Sequence, residues 1–405
     1  MAAIARVPAD SDADSPTSSS VGRRVGAVSW DDARARAHAA ARPLPAVHVE
    51  LAAASGATLA EPLTSLVDLP SFDRSAMDGY AVCGEGPWTV VGEVLAGSSS
   101  APRLTRGQAC EVATGALLPE ATTAVLPYEN AVREGRQLTG PVSPGGHIRR
   151  AGEECGTGEP LAPSGAVVSP QLLGLAAAAG HDRLRVHPKP RVRALVTGDE
   201  VCVAGIPPIG QVRDAIGPML PGLVDWAGGT LTATTYLPDS TTALAEGLAQ
   251  AEADVILVSG SSSIGPADHL RDCIDRLGGQ LWVDGVRCRP GHPQALAALP
   301  DGRLLIGLPG NPLAALVGFL TLVVPAITGL RGAALDDLPA VSDSSLPRHP
   351  TSTRLLPIRT ENNGRLAAVN HHASAMLRGV AMAEALAVVP PEGSDCPVRL
   401  HGLPG

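Results

Sequence analysis

The sequence predicts a multidomain α/β chain flanked by β-rich modules, and three observations carry that prediction. Strand and helix patterns alternate through residues 187–333, as in a parallel sheet covered by helices. Between residue 47 and about 145 the pattern changes to short alternating apolar runs, WTVVGEVLAG and ATTAVLPYENAV among them, which fit small antiparallel strands. Composition supplies the third: 44% of the 405 residues are hydrophobic but only 2% aromatic, with 45 Gly and 37 Pro, so the core is expected to be Ala, Val and Leu punctuated by turns. That length suits about two to four domains.

Taken in order, residues 1–25 are rich in Ser, Asp and Pro without an apolar run of signal-peptide length, and are expected to be a disordered tail. Residues 26–186 are read as an amino-terminal linker region with an inserted β-rich module. It opens on a helix, WDDARARAHAA, with acidic residues in its first turn. SPQLLGLAAAAG is a second helix, with Ser169 placed to cap it, Pro170 in its first turn and glycine at its end. Residues 187–333 form the α/β domain. Its strands are VRALVT, TLTATTYL, DVILVSG and RLLIGL; its helices are PMLPGLVDWAGG, STTALAEGLAQAEA, PADHLRDCIDRLGG and the apolar run 313–327. That last run is about fifteen residues, interrupted by Gly318, Thr321 and Pro325, and short of the roughly twenty that span a bilayer, so a buried helix is expected. Residues 334–405 are assigned to a small carboxyl-terminal β-domain.

The net charge of -9, from 31 basic and 40 acidic residues, argues against nucleic acid, which needs a dense basic face. With neither leader nor spanning segment read from the pattern, a cytoplasmic protein without a membrane partner is expected. Seven scattered cysteines, with no C-x-x-C pair, read as free thiols.

Ligands of open α/β sheets bind beyond the carboxyl ends of the strands. Three loops lie there: TGDE at 197–200, SGSSSIGPADH at 259–269 and LPGNP at 308–312. Asp199 and Glu200 arrive together at one strand end. Ser263 lies among glycines and hydroxyls before a helix start, and Pro309 and Pro312 hold an elbow around Gly310 and Asn311 before another. Backbone N–H groups at helix starts suit an anion, although such a loop taken singly is commonly a mere connection. Two cationic elements fit the same chemistry, Arg289 with His292 in RPGHP and Arg149 with Arg150 in HIRRAGEE, because guanidinium forks onto phosphate or oxyanion oxygens. The segment LPSFDRSAMDGYAV concentrates two of the chain's few aromatics, Phe72 and Tyr80, around Asp78.

Read together, LPSFDRSAMDGYAV, ATGALLPEATTAVLPYE, HIRRAGEE, PRVRALVTGDE, GQVRDAIGPML, SGSSSIGPADH, RPGHP and GLPGNPLAALVGF resemble, in collinear order, the motifs of the molybdopterin molybdenumtransferases, relatives of the carboxyl-terminal domain of gephyrin. The resemblance implies an elongated homodimer whose α/β unit is a three-layer molybdopterin-binding domain facing the SAMDGYA loop of its partner. It implies that the substrates are adenylylated molybdopterin and molybdate, that AMP is released as molybdenum is placed on the dithiolene, and that Mg²⁺ assists. By the same resemblance Asp78 is the catalytic carboxylate. Asp199, Glu200 and Asp268 hold the metal, and Thr114, Gly115, Arg289, Pro309 and Pro312 line the site.

Three departures from the family pattern accompany it. Ser261 and Ser262 replace a glycine and a valine, Ala215 and Ile216 replace serine and asparagine, and RPGHP carries Arg289 and His292 where lysines are usual. A weakened anion grip is the expectation. The competing reading is an impaired paralogue that binds pterin or nucleotide as a scaffold or partner subunit. A third is a related adenylylating enzyme, which the long amino-terminal half counts against.

Overall fold

A computed structural model describes residues 26–260, 269–342, 346–362 and 364–404. The amino-terminal tail of 1–25, expected to be disordered, lies outside the described residues, as do Ser261, Ser262, Ser263 and Asp268.

The α/β unit is built on a six-stranded sheet with the order Thr230–Leu237, Arg191–Thr197, Val255–Ser259, Leu304–Leu308, Ala295–Ala298, Gln280–Asp284. The first four strands are parallel. The last two pair antiparallel, so the sheet is mixed where the sequence pattern predicts parallel strands throughout. The two added strands, with sequences QLWVD and ALAA, flank the RPGHP turn. Alternate residues of the central strands supply two separate cores. Val192, Ala194, Leu257 and Ile306 face one layer of helices, and Leu195, Ile256, Val258 and Leu305 the other. Both faces are covered, which is why these strands read as unbroken apolar runs.

On the second face lie the helices Thr241–Ala249 and His269–Arg276, through Leu244, Leu248, Leu270 and Ile274. On the first lies the apolar helix Pro312–Leu330, long and apolar enough to cross a membrane, with 89% of its most apolar window buried inside the protein. It widens to a π-type turn over Phe319–Val323. Pro325 stands two residues beyond it and has no N–H to return to the carbonyl four residues back, a known cause of such irregularity.

The helix Trp30–Ala40 packs here too. Sequence position groups it with the amino-terminal region, yet Trp30, Ala33 and Ala37 belong to the α/β core, because these three residues share one helical face. Ser29 caps it, accepting from Asp32 N at 3.1 Å. Trp30 is fully buried and donates through Nε1 to Thr321 Oγ1 at 2.9 Å.

The amino-terminal region forms two bodies. A three-stranded antiparallel sheet, Val47–Glu50, Arg183–His187 and Thr58–Leu59, carries the helix Pro170–Ala178, capped by Ser169. The second is a six-stranded sheet in the order Ala124–Pro127, Gly79–Val82, Gln108–Val112, Trp88–Val94, Gln137–Thr139, Val132–Glu134. One of its pairings, Trp88–Val94 with Gln108–Val112, is parallel, unlike the all-antiparallel expectation. The carboxyl-terminal sheet joins Thr353–Thr360, Ala385–Val389, Val398–Gly402 and Ala340–Val341 to a short strand of the α/β unit, Cys288–Arg289. The seven cysteines are all free.

Trp30 also ties the carboxyl-terminal sheet to the core. Arg34 and Arg399 lie over its ring, at 5.0 and 5.6 Å from the centroid, and Arg399 pairs with Asp31 at 2.7 Å. His401 is buried beside them, with Nδ1 toward Gly402 O at 2.9 Å and Nε2 3.4 Å from Arg34 Nη1. A carbonyl and a guanidinium on either side fix the neutral tautomer with the proton on Nδ1. Burial, chiefly, and then Arg34 hold its pKa down to about 4.

Trp30→Ala should cost about 3–5 kcal/mol, read as a lower denaturation midpoint; an unchanged midpoint would contradict this packing. For His401 the folded pKa lies below the unfolded one, so stability is present above pH ~6.5 and drains as pH falls toward 4. His401→Gln should flatten that acid limb in melting curves taken across the window. At the sheet's carboxyl edge Gly260 has φ +95°, and a Cβ there would lie 2.4 Å from Thr197 O, whereas one on Gly310 would meet Gly260 Cα at an ordinary 3.6 Å. Gly260→Ala should therefore destabilise by about 2 kcal/mol or more and Gly310→Ala by under about 1, a ranking that thermal melts of both variants check.

Candidate functional site

The sheet brings its three carboxyl-end turns together. Thr197 ends its strand buried and donates through Oγ1 to Ser259 O at 2.9 Å, locking the first turn to the second. Close approach of Gly260 to Thr197, and of Gly310 to Gly260, brings in the third. Beyond this lock Asp199 and Glu200 are exposed. Asp199 accepts from Asp239 N at 3.1 Å, and Glu200 lies back along the turn, its carboxylate 2.8 Å from where a Cβ on Gly198 would stand. Among the described residues no group of three or more His, Cys, Asp or Glu is arranged to hold a metal. Two exposed carboxylates fit Mg²⁺ nonetheless, since that ion commonly takes one or two from the protein and the rest from substrate phosphates and water.

The turn Arg289 to His292 and the elbow at Pro309 and Asn311 open onto a cavity of about 720 Å³. Its other wall comes from the carboxyl-terminal module: His349, Arg354, His372 and Ser374. The strand pairing explains the meeting, for Cys288 pairs with Thr353 and Arg289 with Arg354 in parallel register. The two arginines thus leave the same face of the pair and both line the cavity, where Arg354 also donates through Nη1 to Pro347 O at 3.3 Å. No carboxylate lines the cavity among the described residues. Cys288 lies in its wall as a thiol pushed by burial up to about 12, so it stays neutral. Ala314 N–H donates to Ser374 O at 3.1 Å, fastening the helix start to the carboxyl-terminal module, while Pro312 opens the helix behind Asn311.

Asp78 belongs to a different cluster, inside the β-rich module. Its Oδ1 accepts from Thr114 N at 2.7 Å, and its carbonyl from Tyr128 N at 3.3 Å. Gly115 N donates to Ser75 O at 2.8 Å and Ser75 N to Ala116 O at 3.0 Å, clamping the loop to the turn after Gln108–Val112. Beside it Tyr128 donates to Glu111 Oε1 at 2.7 Å, and Glu111 Oε2 pairs with Arg133 at 2.8 Å. Burial and then Glu111 push the Tyr128 phenol up to about 12, so it remains a donor. Arg149 stands opposite Arg74 across the Ile148–Arg149 and Arg74–Ser75 bridge, a second facing pair of arginines. Arg150 instead is spent on Asp73 at 2.6 Å, and Ala151 N with that guanidinium holds the Asp73 carboxyl below its ordinary range.

Thr114 and Gly115 therefore gather at the Asp78 loop, Arg149 is paired with Arg74 at the start of the same loop, and Arg289, His292, Pro309 and Asn311 gather at the cavity. Ile216, which stands where the family pattern has a polar residue, lies apart from both clusters. Its side chain is in the α/β core, and its N–H and that of Gly217 close on Asp214 Oδ1 at 2.9 and 3.1 Å. The exchange at 215–216 thus touches a closed turn, not the cavity wall. Sequence reading missed His349, Arg354, His372 and Ser374; the adjacent histidines of NHHASA and the arginine opening TRLLPIR were the available signal.

The sequence matches two family models, the MoeA N-terminal region (domain I and II) over residues 28–180 and the probable molybdopterin binding domain over 193–329. A molybdopterin molybdenumtransferase of Nostoc sp. is 34% identical over 304 residues, covering 71% of this chain and 70% of that protein. Molybdopterin molybdenumtransferase 2 of Mycobacterium tuberculosis is 33% identical over 317 residues, covering 72% and 76%. The crystal structure of the molybdopterin biosynthesis moeA protein from Pyrococcus horikoshii superposes with a TM-score of 0.74 at 25% identity, covering 93% of this chain and 98% of that one. The chain belongs to the molybdopterin molybdenumtransferase family, enzymes of molybdenum cofactor biosynthesis.

Proposed function

We propose that the protein inserts molybdate into adenylylated molybdopterin with release of AMP, and that the cavity between the α/β unit and the carboxyl-terminal sheet holds the oxyanion. The observation that carries this is the register pairing of Arg289 with Arg354, which brings two permanently positive side chains to one cavity without carboxylates in its lining. An oxyanion between them removes their repulsion and takes charge-assisted hydrogen bonds from both. Ser374 and the elbow at Pro309 and Asn311 complete the enclosure, with Pro312 starting the helix behind it.

The phosphoanhydride of the other substrate needs a carboxylate to orient water and cations to hold its oxygens. Asp78, fixed by Thr114 N and exposed, is proposed for the first task, and Arg149 with Arg74 for the second. Thr114 and Gly115 border the same loop. Asp199 and Glu200 are the described carboxylates proposed for Mg²⁺; Asp268 and Ser263, proposed by resemblance, lie outside the described residues. Bound there, Mg²⁺ would neutralise charge building on the leaving phosphate. Because the contacts of Asp78 are all within the β-rich module while the oxyanion cavity lies between the other two modules, we assign the complete site to a homodimer, each Asp78 loop facing the turns of its partner. A cytoplasmic enzyme with no nucleic-acid or membrane partner is the accompanying proposal. The net charge of -9 and the burial of the apolar helix support it. Intact Asp78 and the arginine pair favour the enzyme over the scaffold.

Asp78→Ala should abolish conversion of adenylylated molybdopterin and molybdate to active cofactor while leaving the melting curve in place; persistent turnover would remove Asp78 from the chemistry. Arg354→Ala should raise the molybdate KM by about ten- to a hundredfold, the loss of one hydrogen bond to a charged group. Mixing Asp78→Ala with Arg289→Ala protomers should restore activity to about a quarter of wild type, since half of the dimers are mixed and each then carries one intact shared site. No recovery after demonstrated subunit exchange would place the site within a single chain.

A further inference from the structure

Three histidines line the oxyanion cavity, and their backbone contacts divide them into two kinds. His349 Nδ1 receives two N–H groups, from Thr351 and Ser352, both at 3.1 Å. It must be the bare nitrogen, so the neutral ring already carries its proton on Nε2 and donates to an anion there. A proton on Nδ1 would meet both incoming N–H groups head on. His292 and His372 are connected the opposite way. Their Nδ1 atoms lie 2.7 Å from Val286 O and 2.8 Å from Val369 O. A carbonyl only accepts, so Nδ1 of each carries the proton and the neutral ring has only a lone pair at Nε2.

An oxyanion without protons is an acceptor at every oxygen. It could take hydrogen bonds from Arg289, Arg354, the Ser374 hydroxyl and His349 Nε2, which share the cavity lining, whereas an unprotonated Nε2 of His292 or His372 would offer it only a lone pair. Either ring becomes a donor on taking up one proton at Nε2, with its Nδ1 bond to the carbonyl kept and strengthened. Histidine makes that change of charge between pH 5 and 8. The groups that line the same cavity are Arg289 on the turn of His292, Arg354 and His349 on the carboxyl-terminal module with His372, and Cys288, a neutral thiol. With no carboxylate among these lining residues, the doubly charged anion is the counter-ion that would stabilise the imidazoliums.

We infer that oxyanion capture in this cavity is coupled to proton uptake at His292 and His372, with His349 an uncoupled donor. This rests on the proposed reading of the cavity as the oxyanion site. It makes His292 a conditional replacement for a fixed positive charge: the grip tightens as the anion arrives with protons and loosens when they leave.

The test is calorimetric titration of the full-length protein with molybdate alone between pH 6.5 and 8.5, where molybdate stays a dianion, in pairs of buffers of different ionisation heat. Wild type should take up protons on binding, and affinity should fall by up to about tenfold per pH unit for each coupled proton. His292→Gln and His372→Gln should each lose part of the uptake and flatten the pH dependence. His349→Gln should weaken binding with uptake unchanged, and His292→Lys should bind with less uptake than wild type, a result that misfolding would not produce. Binding without proton exchange, or uptake undiminished in both glutamine variants, would overturn the coupling and leave the oxyanion reading standing. No molybdate binding at any pH would overturn that reading itself.

Discussion

The contact between Thr197 and Gly260 is the constraint on which the site depends. Two neighbouring strands end at the same level, Thr197 Oγ1 closes on Ser259 O, and the chain turns away through a glycine whose missing side chain leaves room for Thr197 O. Everything beyond that edge inherits its position: the carboxylates of Asp199 and Glu200 on one side, the elbow at Gly310 on the other. The strands can hold such a tight edge because both of their faces are buried, each large aliphatic side chain contributing about 1.5–3 kcal/mol.

A second layer of organisation comes from the pairing between modules. Cys288 and Arg289 leave the α/β unit to join the carboxyl-terminal sheet as its edge strand. One hydrogen-bonded register thereby fixes two domains and juxtaposes two arginines. Trp30 fastens the same two domains at another place, held between Arg34 and Arg399 and anchored to Thr321. The cavity is thus made by assembly: neither module alone contains it, and its lining arginines come from both.

Much of this was legible in the sequence. Unbroken apolar runs marked the covered strands, the acidic turn of WDDARARAHAA and Ser169 marked helix starts, and the chemistry-bearing turns could be placed at strand ends because an α/β sheet puts them there. What escaped was long-range pairing. The strands Gln280–Asp284 and Ala295–Ala298 pair antiparallel, and nothing local in QLWVD or ALAA distinguishes that from a parallel pair. The helix Trp30–Ala40 lies far along the chain from the core it fills. Arg354 and His372 lie in the terminal module, and nothing local in its sequence announces the strand register that sets the first beside Arg289. Ile216, read from the sequence as the loss of a polar contact, turns inward to apolar neighbours.

The account stands on the placement of an oxyanion between Arg289 and Arg354. Anomalous diffraction from crystals soaked in molybdate reads this directly. A molybdenum peak is predicted inside the cavity, within hydrogen-bonding reach of both guanidiniums; a peak bound elsewhere with this cavity empty would contradict it.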